Sequence, residues 1–199
     1  MVVKLKPIEM VLAALFAALM GIGANITAYL VIGGVPITLQ PIIAITAGAL
    51  LGSRLGALSM TIYMLTGIVG MPVFAEFSGG FRALVSPTFG FILSFILTAF
   101  LTGKMIERKK DPSKLVFFTA SFTGLFVIYL IGTNYMYCAY LWIAEAPDGF
   151  SYSMVWTWMV LPLIKDIIIT ALTAATIPKL YRLFRKKINT SLRPSQRTA

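Results

Sequence analysis

The sequence predicts an all-α integral membrane protein with six transmembrane helices. Three observations support this: 58% of the 199 residues are hydrophobic, only 12% are charged, and the charged residues leave long stretches without any charge. Soluble domains are roughly half apolar and a quarter charged, so a soluble fold is disfavoured. At this length we expect a single transmembrane domain that covers residues 1–199.

Uncharged runs locate the spans, because a membrane-spanning helix needs about 20 predominantly apolar residues. The runs cover residues 10–53, 55–75, 83–103, 115–144 and 149–164. The first run is long enough for two spans, and the helix-breaking stretch Gly33-Gly34-Val35-Pro36 divides it. The last run continues to about residue 182 only if Lys165 and Asp166 lie within the span.

The predicted helices cover residues 8–31, 40–53, 55–71, 88–106, 114–143 and 154–185, and a short basic tail begins near residue 186. The first helix resembles a signal peptide, but its apolar run is too long and five spans follow, so we expect it to be retained. In the short second helix, Gly48 and Gly52 are four residues apart, and Gly56 follows at the same spacing. This pattern favours close backbone packing.

The basic residues set the predicted orientation, because Lys and Arg in short loops stay cytoplasmic. Fifteen of the 17 Lys and Arg residues fall on one side, whereas Arg82 falls on the other and Lys165 lies within a span. Both termini are therefore predicted to be cytoplasmic in a plasma membrane protein, with the loops after helices 1, 3 and 5 outside. Because the positive residues sit at the ends of spans, a nucleic-acid surface is disfavoured.

Residue types that several kinds of chemistry require are missing. The sequence has no His, a single Cys at position 138 and no GxxxxGK[ST] phosphate loop. His-based catalysis, most zinc sites and an ATPase of this type are therefore excluded. We expect no catalytic residues, no metal ligands and no cofactor.

Two of the outer loops combine apolar residues with a few polar ones, which is typical of a small-molecule pocket. The candidate lining residues in and near these loops are Thr38, Gln40, Phe74, Phe77, Ser78 and Thr88. The alternative is that these loops simply lie in the lipid headgroup region.

Asp166 is the acid deep within a predicted span, where a carboxylate costs several kcal/mol unless it is paired or faces a cavity. Lys165 is about 100° away around the helix, so we expect that the two side chains do not pair side by side. One interpretation places Lys165 and Asp166 near the outer headgroups. In the other, Asp166 accepts hydrogen bonds from a ligand.

The first predicted helix carries small residues at a spacing of four: Ala13, Ala17 and Gly21 on one line, Ala14 and Ala18 on the next. Small residues at this spacing let another helix approach closely. Ala13, Ala17 and Gly21 are therefore a candidate docking face for a partner helix, although packing within this chain explains the pattern equally well.

Several segments, together with Tyr63, resemble the motifs of the BioY family, the biotin-binding S components of energy-coupling factor transporters. They are Val35-Pro-Ile-Thr-Leu-Gln40, Ala47-Gly-Ala-Leu-Leu-Gly-Ser-Arg-Leu-Gly56, Gly67-Ile-Val-Gly-Met-Pro-Val-Phe-Ala75, Gly79-Gly80 and Ser86-Pro-Thr88. The resemblance covers most of the chain. It implies the S-component fold with six helices, a vitamin pocket near the outer face, and both termini inside.

The resemblance also implies roles for individual residues. Ser78 takes the polar position that contacts the bicyclic ring of biotin, and Asp166 takes that of the acid on the last helix. The family commonly has a Lys three residues after this acid, which meets the valerate carboxylate, but this sequence has Ile169 there. Lys165 and Arg82 are the candidate replacements. Apolar walls are expected from Phe74, Phe77, Tyr63 and Tyr135.

An S component of this family has no ATPase of its own. The resemblance therefore implies a subunit that captures biotin in the lipid bilayer, with a transmembrane coupling protein that grips helix 1 and two cytoplasmic ATPases that use ATP. The leading alternative is an autonomous proton-coupled secondary transporter of a small carboxylated vitamin, with Asp166 as proton relay. An intramembrane enzyme is disfavoured, because no nucleophile constellation is present.

Overall fold

The computed structural model describes residues 5–26, 31–32 and 35–192, and it is helical over most of their length. The helices are α1 (Pro7–Asn25), α2 (Gln40–Leu51), α3 (Ser53–Ile68), α4 (Phe89–Glu107), α5 (Lys114–Trp142) and α6 (Tyr152–Leu192). Two-residue strands, β1 (Val31–Ile32) and β2 (Val35–Pro36), pair antiparallel between α1 and α2. Short 3-10 turns at Ala75–Phe77 and Phe81–Val85 lie between α3 and α4.

All six predicted helices are present, and two of their boundaries differ by more than three residues. The first helix ends at Asn25 rather than at residue 31, because Val31 pairs with Pro36 in the short hairpin. The backbone of α6 stays helical to Leu192 rather than ending near residue 185. Gly33 and Gly34, which were used to divide the first apolar run, lie outside the described residues.

Only four of the described helices are long and apolar enough to cross a membrane, namely α1, α4, α5 and α6. Helix α2 has 12 residues and α3 has 16. At 1.5 Å per residue they are about 18 and 24 Å long, which is less than the hydrocarbon core of about 30 Å. The structure therefore has six helices but does not by itself establish six spans.

Helix α2 lies at the centre of the bundle, where it contacts each of the other five helices. Its small residues make this possible, because Ala44, Ala47, Gly48 and Ala49 are all buried. Helix α1 packs on one side against α2 and α3, and α6 packs on the other against α2 and α5. Because the central helix is short, a space remains beyond its N-terminus, and the longer neighbouring helices enclose this space.

Close backbone contact of α2, α3 and α4 confirms the prediction for two of the three glycines. A Cβ atom on Gly48 would lie 2.3 Å from the Ala99 carbonyl oxygen, and one on Gly56 would lie 2.9 Å from the Gly48 Cα atom. Gly52 serves a different purpose, since its φ of +87° forms the turn between α2 and α3. A side chain there would be strained as well as crowded by Glu107.

Glu107 closes the N-terminus of α3 from the end of α4. Its two carboxylate oxygens accept hydrogen bonds from the backbone N–H of Ser53 at 2.8 Å and from the Ser53 hydroxyl at 2.7 Å. The first N–H groups of a helix have no partner within the helix and carry partial positive charge, so a carboxylate is favourable there. This contact fixes the α2–α3 turn to α4 at the end of the bundle opposite the loops between α3 and α4.

Substitution of Gly48 tests the close approach. Gly48→Ala is expected to lower the free energy of unfolding by about 1–3 kcal/mol, because the added methyl group meets backbone rather than a flexible side chain. Gly21→Ala is the matched control, since its Cβ atom would lie 3.4 Å from the Val73 Cβ atom, an ordinary contact. Thermal unfolding of the detergent-purified variants measures both, and equal midpoints would contradict the proposed packing.

Candidate functional site

A cavity of about 470 Å³ lies at the end of the bundle that carries the α3–α4 loop. Its walls come from the segment before α2 and the start of that helix, from one residue of α3, from the α3–α4 loop, and from the facing sides of α4, α5 and α6. This volume lies within the range of about 300–1,000 Å³ that is typical of small-molecule sites. Nine residues that the sequence predicted for the pocket line it: Thr38, Gln40, Tyr63, Phe74, Ser78, Arg82, Thr88, Lys165 and Asp166.

Two predicted wall residues lie elsewhere. Phe77 does not line the cavity, and its side chain is 58% exposed. Tyr135 is also absent from the lining and instead donates its hydroxyl to the Leu84 carbonyl at 3.0 Å. Ile169, which stands where the family pattern has Lys, does not line the cavity either.

Asp166 is almost completely buried, with 3% of its surface exposed, and it lines the cavity. The Tyr129 hydroxyl donates to its Oδ2 atom at 2.7 Å, and the Lys165 Nζ atom lies 2.8 Å from its Oδ1 atom. Lys165 also donates to the Thr38 carbonyl, which brings the segment before α2 against α6. A buried carboxylate in an apolar bundle is therefore held by one hydroxyl and one ammonium group.

The ion pair between Lys165 and Asp166 contradicts the expectation that these neighbours do not pair. That expectation used the directions in which the two side chains leave the helix, but the four-carbon stem of Lys reaches across this angle. The Lys165 side chain is only 24% exposed and turns into the bundle. Its ammonium group is bonded to Asp166 and to the Thr38 carbonyl.

A second set of hydrogen bonds connects the α3–α4 loop to α2 and α3. The Gln40 amide donates to the Tyr63 hydroxyl at 2.8 Å, and this hydroxyl donates to the Val73 carbonyl at 3.2 Å. The Phe74 ring meets the Tyr63 ring edge to face at a centroid distance of 5.4 Å. Phe74 fits here because a side chain at Gly67 would overlap its ring.

Ser78 lies at the end of a tight turn that begins at Ala75. The Ser78 N–H donates to the Ala75 carbonyl at 3.2 Å, and the Ser78 hydroxyl donates to the same oxygen at 2.7 Å. The two residues between them have positive φ values of 59° for Glu76 and 53° for Phe77. The hydroxyl oxygen of Ser78 keeps its acceptor capacity toward the cavity.

The remaining polar residues of the cavity differ in whether they already form hydrogen bonds within the protein. Thr88 shares a hydrogen bond of 2.9 Å with the Ser86 hydroxyl. Arg82 is exposed at the cavity edge and forms no hydrogen bond or ion pair with any described residue. Among the residues that the structure describes, no three acidic, His or Cys side chains come together as metal ligands.

Sequence analysis missed Tyr129, the direct partner of Asp166. A carboxylate within a span requires a donor, and this requirement alone points to the neighbouring helices. The fifth helix offers several tyrosines, at positions 129, 135, 137 and 140, and composition does not distinguish among them. Only the packing of α5 on α6 selects Tyr129.

The predicted docking face on α1 is partly wrong. Ala13 is 1% exposed and packs inside the bundle, while Ala17 packs against the core and Gly21 faces Val73. A side chain buried in its own chain is not available to a partner. The exposed small residues are Ala14 and Ala18, on the side that also exposes Leu15 and Ile22.

A bundle of long apolar helices with a cavity at one end defines a class, the multi-pass membrane proteins with a small-molecule binding site. The chain matches the BioY family over residues 1–186 and belongs to that family. Two relatives are similar along most of their length. The putative biotin transporter BioYB of Bacillus subtilis (strain 168) is 42% identical over 187 residues, which cover 92% of each protein. The probable biotin transporter BioY of Pyrococcus horikoshii is 41% identical and covers 87% of this chain and 95% of its own.

The fold also matches a solved structure. The S-component for biotin from an ECF-type ABC transporter superposes with a TM-score of 0.61 at 22% identity. The match covers 90% of this chain and 95% of that one. At this identity the match establishes the S-component fold.

Removal of Lys165 tests the buried ion pair. Lys165→Met is expected to lower the free energy of unfolding by about 3–5 kcal/mol, because it leaves a buried carboxylate without its cation. The double variant Lys165→Met/Asp166→Leu removes both charges and is expected to recover most of this loss. Thermal unfolding decides, and a double variant that is less stable than the single one would contradict the interpretation.

Proposed function

We propose that this protein is the biotin-binding subunit of an energy-coupling factor transporter, which captures biotin at the outer face of the plasma membrane. The observation that carries the proposal is the buried Asp166 carboxylate in the wall of the cavity, at the place that family resemblance gives to a ligand-binding acid. Relatives named as biotin transporters at 41–42% identity support the same ligand.

The chemistry of the cavity suits the two rings of biotin. The ureido ring offers two N–H donors and one carbonyl acceptor. A carboxylate has about four acceptor sites, so Asp166 can bind ligand N–H groups in addition to Tyr129 and Lys165. The Ser78 hydroxyl adds a small polar contact, and the rings of Phe74 and Tyr63 supply an apolar wall.

Arg82 is the proposed partner of the ligand carboxylate. Lys165 lines the same cavity, but Asp166 already offsets its charge and the Thr38 carbonyl accepts from it. Arg82 has neither an ion pair nor a hydrogen bond within the described part of the chain, so its guanidinium group is available. A bidentate guanidinium also matches the geometry of a carboxylate.

The topology proposed is six helices across the membrane with both termini cytoplasmic, as the distribution of 15 of 17 basic residues favours. Helices α2 and α3 are short, and the loops that precede α2 and follow α3 make up the remaining depth around the cavity. The cavity then opens outward. Two ATPases and a transmembrane coupling protein supply the energy, and the coupling protein docks on the exposed side of α1.

Calorimetric titration of the purified protein with biotin and with other vitamins tests the proposal. Saturable binding of biotin, with no binding of unrelated vitamins, is the expected result. Absence of biotin binding by a folded protein would overturn it. Uptake that stops on ATP depletion but persists with an uncoupler would further separate this function from a proton-coupled transporter.

Asp166→Asn is expected to weaken biotin binding about tenfold to a hundredfold, or by about 1–3 kcal/mol, because a charged hydrogen-bond acceptor is lost. Ser78→Ala is expected to cost less, since only one neutral contact disappears. Asp111→Asn is the control, because this acid is exposed in the loop between α4 and α5. If Asp166→Asn folds and binds as tightly as the control, Asp166 does not bind the ligand.

Arg82→Met is expected to reduce affinity for biotin but hardly for a neutral biotin amide, because the charge pair is present only with the acid. Lys165→Met, by contrast, is expected to affect both ligands alike through its effect on Asp166. Titration of each variant with both ligands shows which of the two cationic side chains binds the ligand carboxylate. Equal losses for Arg82→Met with acid and amide would exclude Arg82 as the carboxylate partner.

Ala18→Trp is expected to abolish ATP-driven uptake while biotin binding persists, because the bulky ring occupies the exposed side of α1. Ala13→Trp is the matched variant on the buried side, and it is expected to destabilise the protein and impair both properties. Binding by the purified protein and uptake in cells with the complete transporter are measured for each. Normal uptake with Ala18→Trp would place the docking face elsewhere.

A further inference from the structure

The side-chain amide of Asn25 joins the last turn of α1 to the α3–α4 loop. Its Nδ2 group donates to the Gly21 carbonyl at 2.9 Å and makes a longer contact of 3.4 Å with the Val73 carbonyl. Its Oδ1 atom accepts from the Phe77 N–H at 2.7 Å. The Asn25 amide therefore contacts the loop at Val73 and at Phe77, which are four residues apart.

The segment between these two points has an unfavourable backbone conformation. Glu76 and Phe77 both have φ near +55°, in the left-handed region, where a Cβ atom crowds the following carbonyl. Consecutive left-handed residues form the central pair of a type I′ turn, where Gly and Asn are preferred. Neither residue here has that preference, so surrounding contacts must hold the turn in place.

The same turn forms one wall of the binding cavity. Ala75, Glu76 and Ser78 all line it, while Phe77 points away and is largely exposed. If the turn relaxed to right-handed φ values, the peptide planes on both sides of Glu76 would rotate. Ser78 and the rest of this part of the cavity wall would then move away from the cavity.

An ordinary helix end does not require this arrangement. The bond from Asn25 to Gly21 is local and closes the last turn of α1, as in many helices. The bond to Phe77 spans 52 residues and involves the very N–H that belongs to a left-handed residue. It contributes nothing to the termination of α1, so its effect is on the loop.

We propose that Asn25 is a positioning residue for the cavity: it holds the strained turn at Glu76 and Phe77 closed and thereby slows the release of bound ligand. The inference rests on the proposed function for its ligand. Loss of the amide lets the turn relax, which opens the wall and raises the dissociation rate constant. A glycine in the turn removes the strain and therefore the need for Asn25.

The test compares Asn25→Ala with Asn134→Ala in the full-length protein in detergent. Asn134 is a matched control because its amide also donates to the carbonyl four residues earlier, Leu130, and it does not line the cavity. The second variant pair adds Phe77→Gly to the parent and to Asn25→Ala. Phe77 lies outside the cavity lining, and glycine adopts its φ without steric cost.

Two measurements are made on each variant. The first is the dissociation rate constant of labelled biotin in a chase with unlabelled biotin. Asn25→Ala is expected to raise it about fivefold to tenfold, as for the loss of one or two hydrogen bonds. The second is the rate of tryptic cleavage after the exposed Arg82 in the ligand-free protein, which reports loop opening without any ligand.

Faster dissociation and faster cleavage in Asn25→Ala, both largely reversed by Phe77→Gly and both absent from Asn134→Ala, are the expected results. Equal rates in Asn25→Ala and Asn134→Ala would overturn the inference. So would an increase that Phe77→Gly does not reverse, because it would indicate a general loss of stability. If the parent protein binds no biotin, the proposed function fails, and the cleavage measurement still decides the role of Asn25.

Discussion

The buried charge of Asp166 is the constraint on which the cavity depends. A carboxylate buried in an apolar bundle is stable only with partners, and here they are the Tyr129 hydroxyl of α5 and the Lys165 ammonium group of α6. Lys165 in turn donates to the Thr38 carbonyl in the segment before α2. These contacts draw the walls together on one side. Burial of this carboxylate costs free energy, but its contacts hold the helices together. It is also the strongest hydrogen-bond acceptor that the cavity offers to a ligand.

Packing around α2 explains why this cavity lies at the end of the bundle where α2 begins. Gly48 and Gly56 bring α2, α3 and α4 into backbone contact, and Glu107 closes the opposite end against Ser53. Because α2 is only 12 residues long, its longer neighbours extend past it and leave a cavity above its start. The rest of the wall comes from the α3–α4 loop, which is linked to Gln40 of α2 and Tyr63 of α3 through the Val73 carbonyl and to Asn25 of α1 through the Phe77 N–H.

Sequence reasoning located the helices because charged residues mark their ends. It identified some lining residues from polar groups in apolar loops, Asp166 from its charge within a span, and others only from the family resemblance. It failed where the position of a side chain depends on the length of that side chain or on the backbone conformation. The pairing of Lys165 with Asp166 depends on a flexible stem, and the outward position of Phe77 depends on left-handed φ values that its residue type does not indicate. Likewise, spacing of four describes Ala13 and Ala14 equally well, and only the tertiary packing of α1 buries one and exposes the other.

In the six-span topology proposed above, the short α3 places part of the cavity wall in contact with lipid. Val69, Phe81 and Val85 are 80%, 73% and 53% exposed, and they continue the apolar surface beyond the end of the helix. Several backbone N–H groups of the loop are bonded within the protein, for example that of Gly80 to the Gly67 carbonyl, as contact with hydrocarbon requires. A thicker bilayer covers more of this loop and a thinner one leaves it in water, at a cost that changes with every ångström of mismatch. In that topology, acyl-chain length enters the free energy of the α3–α4 loop, whose last residues line the cavity directly before α4 begins.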